Sequence, residues 1–305
     1  MQGRIINSNG GKYQVALENG STTTIPARGK FRSVKKLQAN PNSYSKKEIV
    51  MVVKQSPKVG DLVEVLDERI EAIFERTNEL IRPDIANVDQ ILLVFAAKEP
   101  DFSSYLLDLF LVNITKKQIT PIIVITKIDK LTEEEFIHLK KELSYYENMG
   151  YTVLYVNSKT KEGTEAVAKH LEGKVTVLSG QTGAGKSTLI NAILPDFELK
   201  TQEISQALGR GKHTTRETTL YPYKQGYIGD TPGFSKLDVL GIDKKELASL
   251  FIEFGTETCR FKDCLHQHNS KDCGIQKAVK DGKILASRYE NYLKMLAQVV
   301  KGEKR

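Results

Sequence analysis

The stretch Gly180-Gln181-Thr182-Gly183-Ala184-Gly185-Lys186-Ser187 fits the phosphate-loop pattern G-x-x-x-x-G-K-S/T at every fixed position. Glycines allow a tight turn whose amides face phosphate oxygens, and the following helix N-terminus adds favourable field. In that chemistry Lys186 reaches the β- and γ-phosphates and Ser187 holds Mg²⁺, with Thr188 opening the helix behind it. The bland alternative is a glycine-rich turn that happens to end in Lys-Ser. An apolar run, Lys174 to Ser179, precedes the loop, and a helix-like run, Thr188 to Leu194, follows it. That strand–loop–helix context is what the mechanism requires.

Three further clusters could do related chemistry. Asp230-Thr231-Pro232-Gly233 ends a strand-like run downstream of the loop, where Asp230 can hold Mg²⁺ through water and the Gly233 amide can sense the γ-phosphate. Between the two lies the polar stretch Gly209 to Arg216, suited to a switch loop ordered by nucleotide and Mg²⁺. Thr215 is the expected Mg²⁺ ligand there, with Thr214 as its rival, and His213 is the candidate for positioning the attacking water. An exposed loop histidine is the equal alternative. Thr126-Lys127-Ile128-Asp129 fits the guanine-reading pattern Asn/Thr-Lys-x-Asp. Asp129 would accept two N–H bonds from the guanine edge, which adenine cannot supply, and the Lys127 stem would lie against the base. Ser158-Lys159 fits a short loop closing over the base.

Cys259, Cys264, His266 and Cys273 form a Cys₃His set, the closed structural zinc type with no open position for catalysis. His268 is the rival imidazole. Three cysteines clustered in one polar stretch argue for metal over disulfides.

Composition is that of a globular chain: 40% hydrophobic and 27% charged over 305 residues, enough for two or three domains. Neither a membrane-length apolar run nor a signal region is present, so a cytoplasmic location is the expectation. The net charge of +7 sits in the first domain. Residues 1–65 hold 11 Lys/Arg against 4 Asp/Glu, and the rest balances. Such a basic domain suits a phosphate-rich partner such as RNA, or simply solubility.

These sites must be held by elements of three kinds. Residues 1–66 read as short strands and Gly turns, a small β-barrel. Within them, much of Val34–Gln55 reads as loop, with Ile49–Val53 as a possible strand. Residues 67–240 alternate apolar strands with helices, which implies a parallel α/β sheet covered on both faces. Residues 241–305 read as a polar helical domain around the Cys/His cluster. Its last segment spaces Tyr289, Tyr292, Leu293, Leu296 and Val300 as the packing face of a helix. In ordinary GTPases the phosphate loop precedes the base-reading loops. Here Asp129 and Lys159 come first, which a circular permutation explains.

The chain resembles the circularly permuted RsgA (YjeQ/YloQ) family of ribosome small-subunit-dependent GTPases. Further residues that carry the likeness are Gly29-Lys30-Phe31-Arg32, Val59-Gly60-Asp61, Arg76-x-Asn78, Arg82-Pro83, Ala86 to Gln90 and Arg288-Tyr289-Glu290-x-Tyr292. The resemblance implies an N-terminal OB-fold, a permuted P-loop GTPase domain and a C-terminal zinc domain. It implies GTP hydrolysis stimulated by the small (30S) subunit, rRNA contacts from the two flanking domains, one structural Zn²⁺, Mg²⁺ with GTP, and a role in late subunit maturation. A monomer is expected. The competing expectation is an RNA-binding chaperone or translation-factor-like module that uses nucleotide only to fold.

Overall fold

The computed structural model describes residues 1–28, 34–38, 49–53, 56–81, 83–194, 218–230, 239 and 241–302. The chain opens with β1 (Gln2–Asn9), β2 (Lys12–Leu17) and β3 (Thr22–Pro26), an antiparallel meander. A separate hairpin follows, β4 (Val34–Gln38) with β5 (Ile49–Val53), so the interval read mainly as loop contains two paired strands. Then come β6 (Leu62–Leu66) and β7 (Arg69–Ile73). Strand β1 pairs with both β2 and β6, β6 pairs with β7, and a parallel bridge from Ala27 to Ile70 closes the ring. This five-stranded closure is the OB-type barrel, filled by Ile5, Val15, Ile25, Val63 and Ile70. The β6–β7 turn is Asp67-Glu68, both with positive φ, so the boundary expected after residue 66 falls inside a hairpin.

The segment behind the barrel is a joint. The buried Asp61 carboxylate accepts from Arg76 Nε at 2.7 Å, from Arg76 Nη2 at 2.8 Å and from the Lys58 amide at 2.7 Å. Asn78 both donates to the Val88 carbonyl and accepts from the Val88 amide, while Asn87 donates to the Gly60 carbonyl. A Cβ at Gly60 would stand 1.9 Å from the Ala86 carbonyl oxygen, so only glycine allows this approach. Thus Val59-Gly60-Asp61, Arg76-x-Asn78 and Ala86 to Asp89 act structurally. The short antiparallel pair β8 (Glu79–Leu80) and β9 (Ile85–Ala86) runs between the last two of these.

Next, β10 (Gln90–Ala96), α1 (Ser104–Lys116), β11 (Thr120–Thr126), α2 (Glu133–Asn148), β12 (Thr152–Tyr155), α3 (Thr164–Leu171), β13 (Val175–Gly180) and α4 (Lys186–Ile193) follow in turn. Strands β12, β11, β10, β13 and β15 (Gly226–Asp230) are parallel neighbours, and β14 (Thr219–Tyr223) runs antiparallel to β15. Every residue of β10 is buried, as a strand covered by helices on both faces must be. At the other edge β14 pairs with β1 through Asn7 and Thr219, whose buried side chains share a 2.8 Å hydrogen bond. Among the described residues, barrel and parallel strands therefore form one eleven-stranded sheet.

The C-terminal region holds α5 (Lys244–Ser249), a 3₁₀ turn at Ile252–Thr256, α6 (Gly274–Lys280) and α7 (Ala286–Gly302). Its core, with Phe251, Phe254, Tyr292 and Met295, also takes in Leu109 and Val112 of α1. A buried ionic cluster pins the two units together. Arg288 on α7 donates to Asp108 of α1 and to both Glu253 oxygens, and stacks on Phe251 with 4.8 Å from guanidinium to ring centre. Asp108 also accepts from Tyr146 of α2 and Asn291 of α7. Burial alone would lower the Arg288 pKa, but the two carboxylates outweigh it and keep the guanidinium charged. Replacing Arg288 by Met strands two buried carboxylates. The expected cost is about 3–5 kcal/mol in urea unfolding followed by far-UV circular dichroism. A loss of under about 1 kcal/mol would show the cluster to be dispensable.

Candidate nucleotide and zinc sites

Strand β13 delivers the phosphate loop. Gly180 has φ +122°, and a Cβ there would stand 2.2 Å from the Val94 carbonyl oxygen of the neighbouring strand. The Gln181 amide then donates to that same carbonyl at 3.0 Å, which turns the chain away from the sheet. Gly183 and Gly185 are left-handed, with φ of +78° and +82°, and the loop ends on the first turn of α4. Lys186 folds back over the loop, donating to the Gln181 carbonyl at 2.7 Å and the Gly180 carbonyl at 3.2 Å. Burial lowers its pKa, so an incoming anion would meet a poorly hydrated cation. Thr182, Ser187 and Thr188 face solvent at the mouth of the loop.

Two strands away, β11 ends at Thr126. Its buried hydroxyl donates to the Ala184 carbonyl of the phosphate loop at 2.5 Å. Lys127, left-handed at φ +56°, donates to the Gly183 carbonyl at 2.8 Å and to the Glu99 carbonyl. Asp129 stands on the following 3₁₀ turn and is paired with Lys159 at 3.1 Å. The closing loop is set by Asn157, whose side chain accepts from the Lys159 amide at 3.1 Å and the Thr160 amide at 3.3 Å. The Ser158 hydroxyl beside it is buried and, among the described residues, has no hydrogen-bond partner. So the structure brings Thr126, Lys127, Asp129, Ser158, Lys159 and Gly180 to Thr188 to one edge of the sheet. Asp230 ends β15, the strand beside β13, at the same edge. His213, Thr214, Thr215 and Gly233 lie outside the described residues, as do Gly29 to Arg32 and Arg82.

Sequence reasoning missed the loop after β10. The Asp101 carbonyl accepts from Gln181 Nε2 at 2.8 Å, and Pro100 approaches Gly183. With Glu99 receiving Lys127, this Glu99–Asp101 loop braces both nucleotide loops. Its position at the carboxyl end of a buried parallel strand was the available signal.

The arrangement can cradle a di- or triphosphate on the Gly-rich loop while an acceptor, Asp129, waits for a base bearing adjacent N–H donors. A family model described as RsgA GTPase matches residues 73–240. The chain belongs to the RsgA GTPase family. It is 42% identical to the small ribosomal subunit biogenesis GTPase RsgA of Geobacillus kaustophilus, across 98% of this chain and 97% of that protein. The RsgA protein of Shouchella clausii is 40% identical over similar coverage, 98% and 97%. Among solved structures, YjeQ from Thermotoga maritima superposes with a TM-score of 0.80 at 33% identity, covering 98% of each chain. YloQ, described as a circularly permuted GTPase, gives 0.78 at 33% identity over 98% of this chain and 95% of its own. The fold expected from the sequence, a multidomain permuted GTPase, is the fold observed.

The second site lies in the C-terminal domain. One ligand atom each from Cys259, Cys264, His266 and Cys273 falls within 4.8 Å of the others. Cys259 Sγ is 3.8 Å from Cys273 Sγ, and His266 Nδ1 is 3.4 Å and 3.5 Å from those sulfurs. A tetrahedron with Zn–S of about 2.3 Å and Zn–N of about 2.1 Å has S···S edges near ~3.8 Å and S···N edges near ~3.6 Å. The donor set therefore fits one zinc ion. His268 stands apart, against Tyr289 and Glu290. Tyr289 and Tyr292 on α7 donate to the His266 and Leu265 carbonyls and hold the loop. A Cβ at Gly274 would meet the Thr258 carbonyl at 2.2 Å, which explains glycine after the last ligand. Burial lowers the His266 pKa and keeps the imidazole neutral, while burial pushes the Cys273 thiol up to about 11, a trend that a bound cation reverses. Metal analysis of the purified chain is expected to return about one zinc per chain. Cys273→Ser should lose it, together with helical signal from the C-terminal domain. A metal-free wild-type chain with unchanged circular dichroism would rule out a structural zinc.

Proposed function

We propose that this chain is a GTPase that acts on the small ribosomal subunit late in its maturation, with hydrolysis stimulated by that subunit. The observation that carries this reading is the direct coupling of the base-reading segment to the phosphate loop through Thr126 and Lys127. In this reading Asp129 selects guanine, Ser158 and Lys159 close over the base, and Gly180 to Thr188 bind the phosphates. Mg²⁺, held by Ser187 and by Thr215 or Thr214, with Asp230 behind a water, would neutralise charge on the β- and γ-phosphates. Lys186 stabilises the transferring phosphoryl group, and the Gly233 amide senses it. Phe234 follows Gly233 and offers no hydrogen bond to a water. The chain alone should be slow, with His213 orienting the attacking water on the subunit.

The basic barrel and the zinc domain are the proposed rRNA contacts. Support comes from the charge excess in residues 1–65 and from the relatives, which are named small ribosomal subunit biogenesis GTPases. No helix among the described residues is long and apolar enough to cross a membrane, and a cytoplasmic monomer is the proposed working form. The expected outcome is GTP turnover, selective over ATP, that rises on adding purified small subunits. His213→Ala should keep GTP binding and lose that rise. A rate indifferent to small subunits would favour the rival RNA-binding module. Unchanged stimulated turnover in the variant would remove His213 from the mechanism.

A further inference from the structure

Five phenylalanines and tyrosines lie between residues 241 and 302. Phe251, Phe254, Tyr289 and Tyr292 belong to the core of the zinc-binding region, and none is more than 6% exposed. The fifth, Phe261, is 50% exposed. Single apolar side chains on a surface are ordinary, but this one is held in a particular way. It stands between Cys259 and Cys264, two members of the zinc-ligand set. The Cys264 amide donates to the Phe261 carbonyl at 3.3 Å, and the Arg260 amide donates to the Asp272 carbonyl at 3.3 Å. The turn that carries the ring is therefore tied down on both sides. The Arg260 guanidinium lies over the ring, 5.7 Å from its centre, and is itself paired with Asp272 at 2.8 Å. Lys262 follows and is exposed. Between Cys259 and Cys273 the cations Arg260, Lys262 and Lys271 outnumber the acids Asp263 and Asp272.

A half-exposed aromatic ring on a pinned turn, with a cation on either side in the chain, fits one kind of ligand. An unpaired nucleobase stacks its face on an aromatic ring or a guanidinium, and its phosphates meet neighbouring cations. A base inside a duplex is already stacked on its neighbours and is closed to this contact. A protein pocket that swallowed the ring would have to desolvate Arg260 and Lys262 as well, which is costly without matching acids. We propose that Phe261 is a stacking platform for an unpaired base of RNA, with Arg260 and Lys262 attracting the phosphates beside that base. This rests on the reading of the zinc domain as an rRNA contact, and it names the structural class of RNA that the domain takes. Cys259 and Cys264 then serve RNA binding mechanically, because a turn fixed in advance loses little freedom when the base arrives.

The full zinc-loaded chain should be titrated with purified small subunits, with a short oligouridine and with an RNA duplex of the same length. Phe261→Ala is expected to weaken binding to small subunits and to oligouridine by about tenfold, and to leave duplex binding unchanged. The slope of affinity against salt should stay that of the parent chain, since no charge is removed. Zinc content and GTP affinity should also be unchanged. Phe261→Tyr, which keeps the ring, should bind like the parent, and Phe261→Leu, which keeps only apolar bulk, should bind like the Ala variant. An Ala variant that holds small subunits as tightly as the parent would overturn the proposal. So would a Leu variant that binds like the parent, or a loss as large on the duplex. A loss on small subunits with none on oligouridine would assign the ring to a protein contact and overturn it too. A parent chain that binds neither small subunits nor oligouridine would instead remove the rRNA reading itself, and the proposal with it.

Discussion

The in-register parallel ladder β11–β10–β13–β15 is the constraint on which the rest depends. Ala96 lies beside Thr126, Val94 beside Gly180, and Val177 beside Gly229. Parallel strands in register end together, so the loops that leave them share one edge whatever their order along the chain. This is why moving the base-reading segment ahead of the phosphate loop leaves the site intact. The ladder also accounts for the least replaceable glycine of the site. Gly180 must pass Val94 so closely that a Cβ would overlap its carbonyl.

The same sheet carries the flanking domains. Residues 195–217 lead into β14, and β14 pairs with β1 of the barrel through Asn7 and Thr219. The α/β unit meets the zinc-binding region through Asp108, Arg288 and Glu253. Each attachment includes a buried polar contact. A buried ion pair adds little net stability over apolar packing, but breaking one partner is costly. Such contacts suit domains that must keep one relative orientation. The permuted order thus places β14 against the proposed RNA-binding barrel.

How much of this was legible in the sequence depended on whether the signal was local. The Gly180–Ser187 loop, the Thr126–Asp129 segment and the Cys₃His set are short local patterns, and the structure joins the first two at one sheet edge and gathers the four Cys and His side chains of the third. The parallel sheet was legible too, because β10, β11 and β13 are continuous apolar runs. The misses are long-range or lack a marker. Asp108 looks like an ordinary charge in an apolar helix, and its partner Arg288 is 180 positions away. The β6–β7 turn uses Asp67-Glu68 in place of the glycine or asparagine that usually marks it. The β4–β5 hairpin hides in a Lys/Asn/Ser-rich interval. Thr126 was recognised as part of the base-reading pattern, but only its burial and its distance to Ala184 show where its proton goes.

The central claim is that Asp129 reads the base while Gly180 to Ser187 hold the phosphates of the same nucleotide. Exchanging Asp129 for Asn tests it directly. An amide offers one donor and one acceptor, which matches the C2 carbonyl and N1–H of xanthine and mismatches the paired donors of guanine. Measured affinities for GTP and xanthosine triphosphate should cross over in the variant, with GTP weakened by about a hundredfold and xanthosine triphosphate becoming the tighter ligand. Unchanged preference for GTP in Asp129→Asn would contradict the account.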